Sequence, residues 1–382
     1  MTDKNITHIV SIKVEKLWGE ANIDWNLDPK VNILIGKNGT GKSTLLNLIE
    51  ASIAGSIKVI KDIKFKSIGL IFSSDKHIII NKSNNLSYLF SDLFNKHQKT
   101  EKDKIFLDSI KQFILSTSRN NEQFDLMKKL VLPTINDDES NYYNTDTNII
   151  LQDDMDINFS KIINFSKIST FELSLSDLKQ AQDKQSLSIR TELDIILAKL
   201  IDDFKGYQLK LRNLEKDETA ILEQKIKELS SKDTAEKAEL NELRVLLAKK
   251  DKKITEIYRQ KHEFIKQIDI LFSDSGKKVE FDKDNSLVFK KNEKFITSYQ
   301  ISSGEKQLLI ILLTVILQEN KPCIILMDEP EISLHLSWQL GLIDTIQKLN
   351  PNCQLIIVTH SPGLFTKGWK DKITKMEDII TE

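Results

Sequence analysis

The feature that most constrains the fold is a glycine-rich segment between an apolar run and a helical pattern. Residues 36–43 read GKNGTGKS, which fits the spacing G-x-x-x-x-G-K-[ST], and they directly follow the apolar run Val31–Ile35. Glycines at this spacing let successive backbone N–H groups point into one hollow, and the start of the next helix adds its positive dipole end. The segment therefore predicts a phosphate-binding loop that joins a buried strand to a helix.

This loop assigns roles to individual side chains. We expect Lys42 to contact the β- and γ-phosphates of a nucleotide and the Ser43 hydroxyl to bind Mg²⁺. The residues predicted to bind ATP in this segment are Gly36, Lys37, Asn38, Gly39, Thr40, Gly41, Lys42, Ser43 and Thr44.

A second site is predicted where another apolar run ends in two acids. Residues 323–327 are continuously apolar, as in a central parallel strand with both faces buried, and Asp328 and Glu329 follow. Asp328 is then placed to hold Mg²⁺ through water. Glu329 is expected to lie beside the γ-phosphate as the general base for the attacking water.

Two more segments are informative because of their order along the chain. A helix opens with residues suited to an anion, namely Ser302, Ser303, Gly304 and Glu305. His360 follows the apolar run 355–358, where it can touch the γ-phosphate or the water. Alone, the first segment is a helix cap and His360 a structural residue at a strand end. Their succession after the phosphate loop favours one shared nucleotide site.

Together these motifs resemble those of ABC-type ATPases of the RecF/SMC/OLD-like group, which includes AAA-family ATPases of anti-phage defence systems. SSGEKQ at 302–307 resembles the signature motif, which in the family closes over the γ-phosphate bound to the opposite subunit. VTHSP at 358–362 resembles the switch-histidine loop. ILMDEPEISLH at 325–335 resembles a joined Walker B and D-loop, which makes Ser333, Leu334 and His335 candidates for a dimer interface.

The resemblance implies an α/β fold, an ABC-type ATPase head with a mixed sheet and a P-loop core. It implies ATP and Mg²⁺ as cofactors and a homodimer or higher oligomer held by sandwiched ATP. OLD-type relatives continue into a metal-dependent Toprim nuclease, whereas this sequence ends shortly after His360. We therefore expect any nuclease to be a separate polypeptide.

One part of the family pattern has no clear match. Family members usually carry a glutamine at the hinge before the helical arm, the Q-loop. Here the corresponding stretch contains Phe165, Ser169 and Thr170 instead. Gln152 is a weak candidate for that glutamine, and a hydroxyl of Ser169 or Thr170 is an alternative metal contact.

The stretch Gln185–Phe272 predicts an inserted antiparallel coiled-coil arm. It contains no proline and only one glycine, and Leu or Ile recurs every three or four residues among Glu and Lys. A break near Ser230–Thr234 allows two helices to fold back on each other, and no Cys-x-x-Cys at the tip provides a zinc hook. The predicted division is an N-terminal lobe (1–184), the arm (185–272) and a C-terminal lobe (273–382).

Composition limits the compartment and the partners. Cys323 and Cys353 each precede an apolar run, which favours small apolar residues in a reducing compartment over a disulfide framework. The N-terminus lacks a signal-peptide pattern, and the longest apolar run, Leu308–Leu317, is too short to span a bilayer. We therefore expect a cytoplasmic protein that does not enter a membrane.

Acids and bases cancel to a formal net charge of -1, so DNA or RNA binding requires a local basic face. Lys249, Lys250, Lys252 and Lys253 are candidates for such a face, although a charge run of this kind is more often a solvated helix surface.

The leading functional hypothesis is a dimeric ATPase switch that senses or controls a separate effector, a nuclease or a toxin, in anti-phage defence. The alternative is a DNA repair or chromosome-maintenance ATPase that binds DNA directly. A transporter ATPase subunit is disfavoured, because a helical arm between phosphate loop and signature is foreign to that group.

Overall fold

A computed structural model of the chain describes residues 6–74, 77–81, 163–169, 191–230, 237–283 and 286–381. Gln152, Thr170 and the predicted domain boundary at 184/185 lie outside these residues. The strands are β1 (Ile9–Leu17), β2 (Ala21–Asn26), β3 (Val31–Ile35), β4 (Ser67–Phe72), β5 (His77–Asn81), β6 (Phe165–Ser169), β7 (Lys277–Phe281), β8 (Leu287–Lys291), β9 (Lys294–Ile296), β10 (Cys323–Asp328), β11 (Cys353–Val358), β12 (Ile373–Lys375) and β13 (Ile380–Thr381). The α-helices are α1 (Lys42–Ala54), α2 (Ile57–Asp62), α3 (Glu192–Ser230), α4 (Lys237–Phe272), α5 (Ser303–Ile316), α6 (Leu336–Gln339), α7 (Leu342–Leu349) and α8 (Met376–Ile379).

The chain divides into two compact units. The first comprises Met1–Ile9, Leu27–Leu46 and Ser160–Ile379. The second comprises Val10–Asn26, Asn47–Phe159 and Ile380–Glu382. The lobe boundaries expected from the sequence remain a prediction.

The first unit contains a five-stranded sheet in the order β12-β3-β11-β10-β6. Each neighbouring pair in it is parallel. Every residue of β10 and β11 is buried, which explains their continuous apolar sequences. Gln354 is the polar exception in β11, and it is satisfied there because its amide bonds the backbone N–H and C=O of Ile9 at 2.8 Å each.

Cys323 and Cys353 begin β10 and β11 and are register partners across the two strands. Both are buried free thiols, as expected of small apolar residues. Contact with the Cys323 thiol, together with burial, raises the pKa of Cys353, so this thiol stays protonated at neutral pH.

The second unit contains a separate five-stranded sheet in the order β13-β2-β1-β4-β5. The pairs β1/β2, β2/β13 and β4/β5 are antiparallel. The family resemblance implies a mixed sheet. In the described residues the parallel pairs lie in one sheet and the antiparallel pairs lie in others, and the α/β class itself is confirmed.

The two long helices predicted after residue 185 are α3 and α4, of 39 and 36 residues. They run antiparallel, because bonded partners move in opposite directions along the chain: Glu215 with Tyr258, Glu218 with Lys253, and Glu223 with Lys250. Coiled-coil packing of these helices remains a prediction.

An aromatic cluster fixes the base of this helix pair. The ring of Phe204 on α3 lies 5.1 Å from that of Phe264 on α4 and 6.2 Å from that of Phe281 on β7. Phe204 and Phe264 are fully buried in the same core as α5 and the parallel sheet. The base of the helix pair is therefore part of the core of the first unit.

The segment after α4 contains three short strands. It forms a three-stranded antiparallel sheet in the order β7-β8-β9. The second turn consists of Asn292 and Glu293, both with positive φ (50° and 61°). Consecutive left-handed residues suit a two-residue hairpin turn, and the glutamate at this position hides the turn in the sequence.

Among the residues described here, no helix combines the length and apolarity needed to cross a membrane.

The aromatic cluster generates a stability prediction. Phe204→Ala should lower the free energy of unfolding by about 3–5 kcal/mol, because it removes a buried ring and leaves a cavity. The matched control is Leu209→Ala on the same helix, whose side chain is 58% exposed and whose loss should cost at most about 0.5 kcal/mol. Urea denaturation measures both. Equal effects would contradict the described packing of α3.

Candidate functional site

The phosphate loop lies between β3 and α1, as the sequence predicts. Gly39 and Gly41 have φ values of 80° and 88°, a conformation that disfavours any residue with a Cβ. The Thr40 hydroxyl donates to the Lys37 carbonyl at 2.9 Å and tightens the turn. The chain then enters α1 at Lys42, and this places the free backbone N–H groups of the helix N-terminus at the end of the loop.

Lys42 is buried against this loop. Its Nζ donates to the carbonyl oxygens of Gly36 and Lys37 at 3.1 and 3.0 Å. Burial lowers the pKa of the Lys42 ammonium group, and the carboxylates of Glu329 and Asp328 act in the opposite direction. The cation is thus held between the loop and the two acids at the end of β10.

Ser43 and Asp328 come together although 285 positions separate them. The Ser43 hydroxyl donates to Asp328 Oδ1 at 3.0 Å. Asp328 ends β10 and is register partner of Val358 on one side and of Ser169 on the other. A hydroxyl and a carboxylate at this separation are hard oxygen ligands within reach of one cation, which fits Mg²⁺.

Glu329 and His360 form the next pair. Their Oε1 and Nε2 atoms are 3.5 Å apart. The Glu329 backbone has a φ of 49°, and its N–H donates to the Val358 carbonyl at 2.9 Å, which turns the chain sharply at the end of β10. Burial, followed by the neighbouring Glu331 carboxyl, raises the pKa of Glu329 to about 7, the range that suits a general base at neutral pH.

Glu331 is a buried carboxylate that the sequence analysis missed. Its Oε1 accepts hydrogen bonds from the Thr359 hydroxyl and from the backbone N–H groups of His360 and Ser361, the last two at 3.2 and 3.1 Å. The sequence signal is the second acid of Asp-Glu-Pro-Glu, which only burial distinguishes from a surface acid.

The signature-like segment begins α5 with a capping box. Ser302 is the N-cap, its hydroxyl accepts from the Glu305 N–H, and the Glu305 carboxylate accepts from the Ser302 N–H at 2.7 Å. Glu305 is 1% exposed and also pairs with Lys277 of β7 at 2.7 Å. Burial favours the neutral acid, yet the bonds from Lys277 and Ser302 outweigh it and lower the pKa of Glu305.

Gly304 is required by a close backbone approach. A Cβ built on it would lie 2.3 Å from the carbonyl oxygen of Ser333, in the D-loop-like segment. Ser333 itself has a φ of 68°, Leu334 is buried, and His335 caps α6. Within the described part of the chain, no hydrogen bond or ion pair links Ser302–Glu305 to the phosphate loop.

The structure thus brings together Lys42, Ser43, Asp328, Glu329 and His360 at the carboxyl ends of parallel strands. One protein family, described as "AAA domain, putative AbiEii toxin, Type IV TA system", matches residues 31–366, which is most of the chain and all of this site. The chain belongs to this family. It is an ABC-type ATPase of the RecF/SMC/OLD-like group, and membership of an AAA ATPase family implies nucleotide binding, usually with Mg²⁺.

Two relatives carry names that describe ATPases. The "Retron Vc95 probable ATPase" of Vibrio cholerae serotype O1 biovar El Tor is 24% identical over 92% of this chain and 70% of its own length. The "Retron Ec83 probable ATPase" of Escherichia coli is 33% identical over 20% of this chain and 16% of its own length. These names and the family description support ATPase activity.

Similar solved structures include two Smc head domains. One is a Pyrococcus furiosus head with an extended coiled coil, bound to the C-terminal domain of ScpA (14% identity, TM-score 0.39, 98% of this chain and 96% of that chain). The other is an Smc head bound to the C-terminal winged-helix domain of ScpA (11% identity, TM-score 0.41, 96% of this chain and 94% of that chain).

We predict that Lys42→Ala abolishes productive ATP binding, because it removes the buried cation from a site that works by electrostatic positioning. Equilibrium binding of a fluorescent ATP analogue with Mg²⁺ measures this. Lys348→Ala, which removes an exposed lysine of α7, is the control and should bind normally. Wild-type binding by Lys42→Ala would exclude the phosphate-loop assignment.

Proposed function

We propose that the chain hydrolyses ATP as a dimeric switch and that its nucleotide state controls a separate effector. The proposal rests on one observation: Lys42, the Ser43–Asp328 pair and the Glu329–His360 pair lie at the same edge of the parallel sheet. These are the side chains that bind phosphate, hold a divalent cation and activate water in phosphoryl transfer.

In the proposed reaction the loop N–H groups and Lys42 bind the β- and γ-phosphates. Ser43 and Asp328 would hold Mg²⁺, which would neutralise charge on the phosphate oxygens. Glu329 accepts a proton from the attacking water, and its raised pKa matches this role. His360, 3.5 Å from Glu329, contacts the water or the γ-phosphate and orients it.

The site is proposed to be completed by a second copy. Within one copy, Ser302 and Glu305 bond to each other in the capping box, and Glu305 also pairs with Lys277. The end of α5 that carries exposed Ser302 and Ser303 presents a helix N-terminus, which favours an anion. In the dimer this end would close over the γ-phosphate held by Lys42 of the other copy.

Two buried ion pairs are proposed to couple the arm, α3 and α4, to the nucleotide state of the site. Lys306 of α5 pairs with Asp194 of α3 at 2.6 Å, and their side chains are 9% and 1% exposed. Glu305 of α5 pairs with Lys277, which follows α4. The start of α3 and the strand after α4 are therefore bonded to the segment that would contact ATP in trans, so a shift of α5 would be passed to the base of the helix pair.

Anti-phage defence is the proposed setting. The names of two relatives as retron ATPases, and the toxin and TA system of the family description, support a role beside an effector, a nuclease or toxin on another polypeptide. Direct DNA binding through the predicted lysine run has less support, because Lys250 and Lys253 form ion pairs with Glu223 and Glu218 of α3. Of the four lysines, this leaves Lys249 and Lys252 to contact phosphates of the DNA backbone.

The switch predicts a trapped state for Glu329→Gln. This change keeps size and hydrogen bonding but removes the base, so hydrolysis should slow by roughly 10²–10⁴-fold while ATP binding survives. The variant should accumulate as an ATP-loaded dimer, because ATP bridges Lys42 of one copy and Ser302 of the other. Light scattering with and without ATP measures the mass.

The control for this trap is the double variant Lys42→Ala/Glu329→Gln, which should stay at the mass seen without ATP. Normal hydrolysis by Glu329→Gln would exclude Glu329 as the base. Slow hydrolysis without any ATP-dependent increase in mass would contradict the dimeric switch and leave the ATPase assignment intact.

The coupling between arm and signature predicts an effect of Asp194→Asn. Lys306 would lose its carboxylate partner in a buried position, so α5 should shift, and ATP hydrolysis should fall while nucleotide affinity stays within about twofold. Lys253→Ala is the control, since it breaks an ion pair whose side chains are about half exposed. Steady-state ATPase assays on folded protein measure both. Unchanged hydrolysis in Asp194→Asn would exclude the coupling.

A further inference from the structure

Glu331 has a contact pattern that catalysis by Glu329 and His360 does not explain. It lies two residues after Glu329 and is only 7% exposed. Its Oε1 accepts from three consecutive donors: the Thr359 hydroxyl, the His360 N–H at 3.2 Å and the Ser361 N–H at 3.1 Å. The Glu331 carboxyl also contacts the carboxyl of Glu329. These residues form the loop that follows β11.

Burial makes these bonds strong constraints on the loop. A buried carboxylate is strongly unfavourable without its donors, so the loop and Glu331 are expected to stay together. Thr359 is fully buried, and its hydroxyl also accepts from the Ser361 N–H at 2.9 Å. On the far side, the Ser361 hydroxyl donates to Gln339 Oε1 at 2.6 Å.

The loop is therefore fixed at the backbone while the His360 side chain projects from it. Glu331 contacts His360 through the backbone N–H, whereas the imidazole is 39% exposed and its Nε2 faces Glu329 Oε1. The neighbouring bond from the Glu329 N–H to the Val358 carbonyl ties the same two segments together. The distance between Glu329 and His360 thus depends on where Glu331 holds the loop.

We propose that Glu331 is a positioning residue for ATP hydrolysis, whose carboxylate holds Thr359–Ser361 so that His360 stays beside Glu329. This role rests on the proposed ATPase function. It differs from a contribution to nucleotide binding, since Glu331 bonds the loop after β11 and, within the described ranges, makes no hydrogen bond or ion pair to the phosphate loop.

The test is a double-mutant cycle on the turnover of Mg-ATP, with Glu331→Gln, His360→Ala and the double variant. Glu331→Gln should lower kcat by up to about 10²-fold, the scale of a displacement near 1 Å, and leave KM within about twofold. Because Glu331→Gln also removes a carboxyl beside Glu329, turnover is compared at a pH high enough to keep Glu329 ionised in every variant. There the double variant should be no slower than His360→Ala alone, because the position of an absent imidazole has no effect. Thr359→Val, which removes one donor of three, should have a smaller effect in the same direction.

Amide hydrogen exchange supplies a readout that needs no turnover. Exchange in the peptide that contains His360 and Ser361 should rise in Glu331→Gln, while exchange in β3 stays as in the wild type. The positioning role would be overturned if the two substitutions lowered kcat independently, so that their effects multiplied in the double variant. Unchanged amide exchange at His360 and Ser361 would overturn it as well, and either result would leave the proposed ATPase function intact. Absence of hydrolysis by the wild-type protein would overturn the proposed function and this role with it.

Discussion

The parallel pairing of β3, β10 and β11 is the constraint on which the rest of the site depends. Parallel strands end at the same edge, so the segments that follow them must meet there although they are far apart in sequence. The phosphate loop follows β3, Asp328 and Glu329 end β10, and His360 follows β11. Full burial of β10 and β11 leaves this edge as the place where their charged residues can lie.

Buried carboxylates hold neighbouring segments of the first unit in place. Glu331 binds the loop after β11, Glu305 binds Lys277 and the start of its own helix, and Asp194 binds Lys306. Such groups are costly when unpaired, so each one favours a single arrangement of the segments that it joins. The same bonds connect α3 and the strand after α4 to α5, which gives the proposed switch a physical route from nucleotide to arm.

Local sequence patterns predict more of the candidate site than of the fold. The phosphate loop, the acids after β10 and the histidine after β11 carry local signals, namely glycine spacing and apolar runs that end in charge. The second acid of Asp-Glu-Pro-Glu, Glu331, looks like a surface acid in the sequence, and Asp194 carries no local signal, because the importance of both arises from burial among residues distant in sequence. The turn at Asn292 and Glu293 carries no glycine signal, and the division of the strands into separate sheets depends on pairing between strands, which a local pattern does not encode.

The central claim, that a complete ATP site contains residues from two copies, is tested most directly by mixing two inactive variants. Lys42→Ala lacks the phosphate-binding lysine, and Ser302→Arg blocks the segment proposed to act in trans. Each alone should be inactive, whereas an equal mixture should regain about a quarter of wild-type ATP hydrolysis, because half of the dimers then contain one intact site. A mixture that stays inactive while its subunits exchange, or full activity of Ser302→Arg alone, would contradict the account.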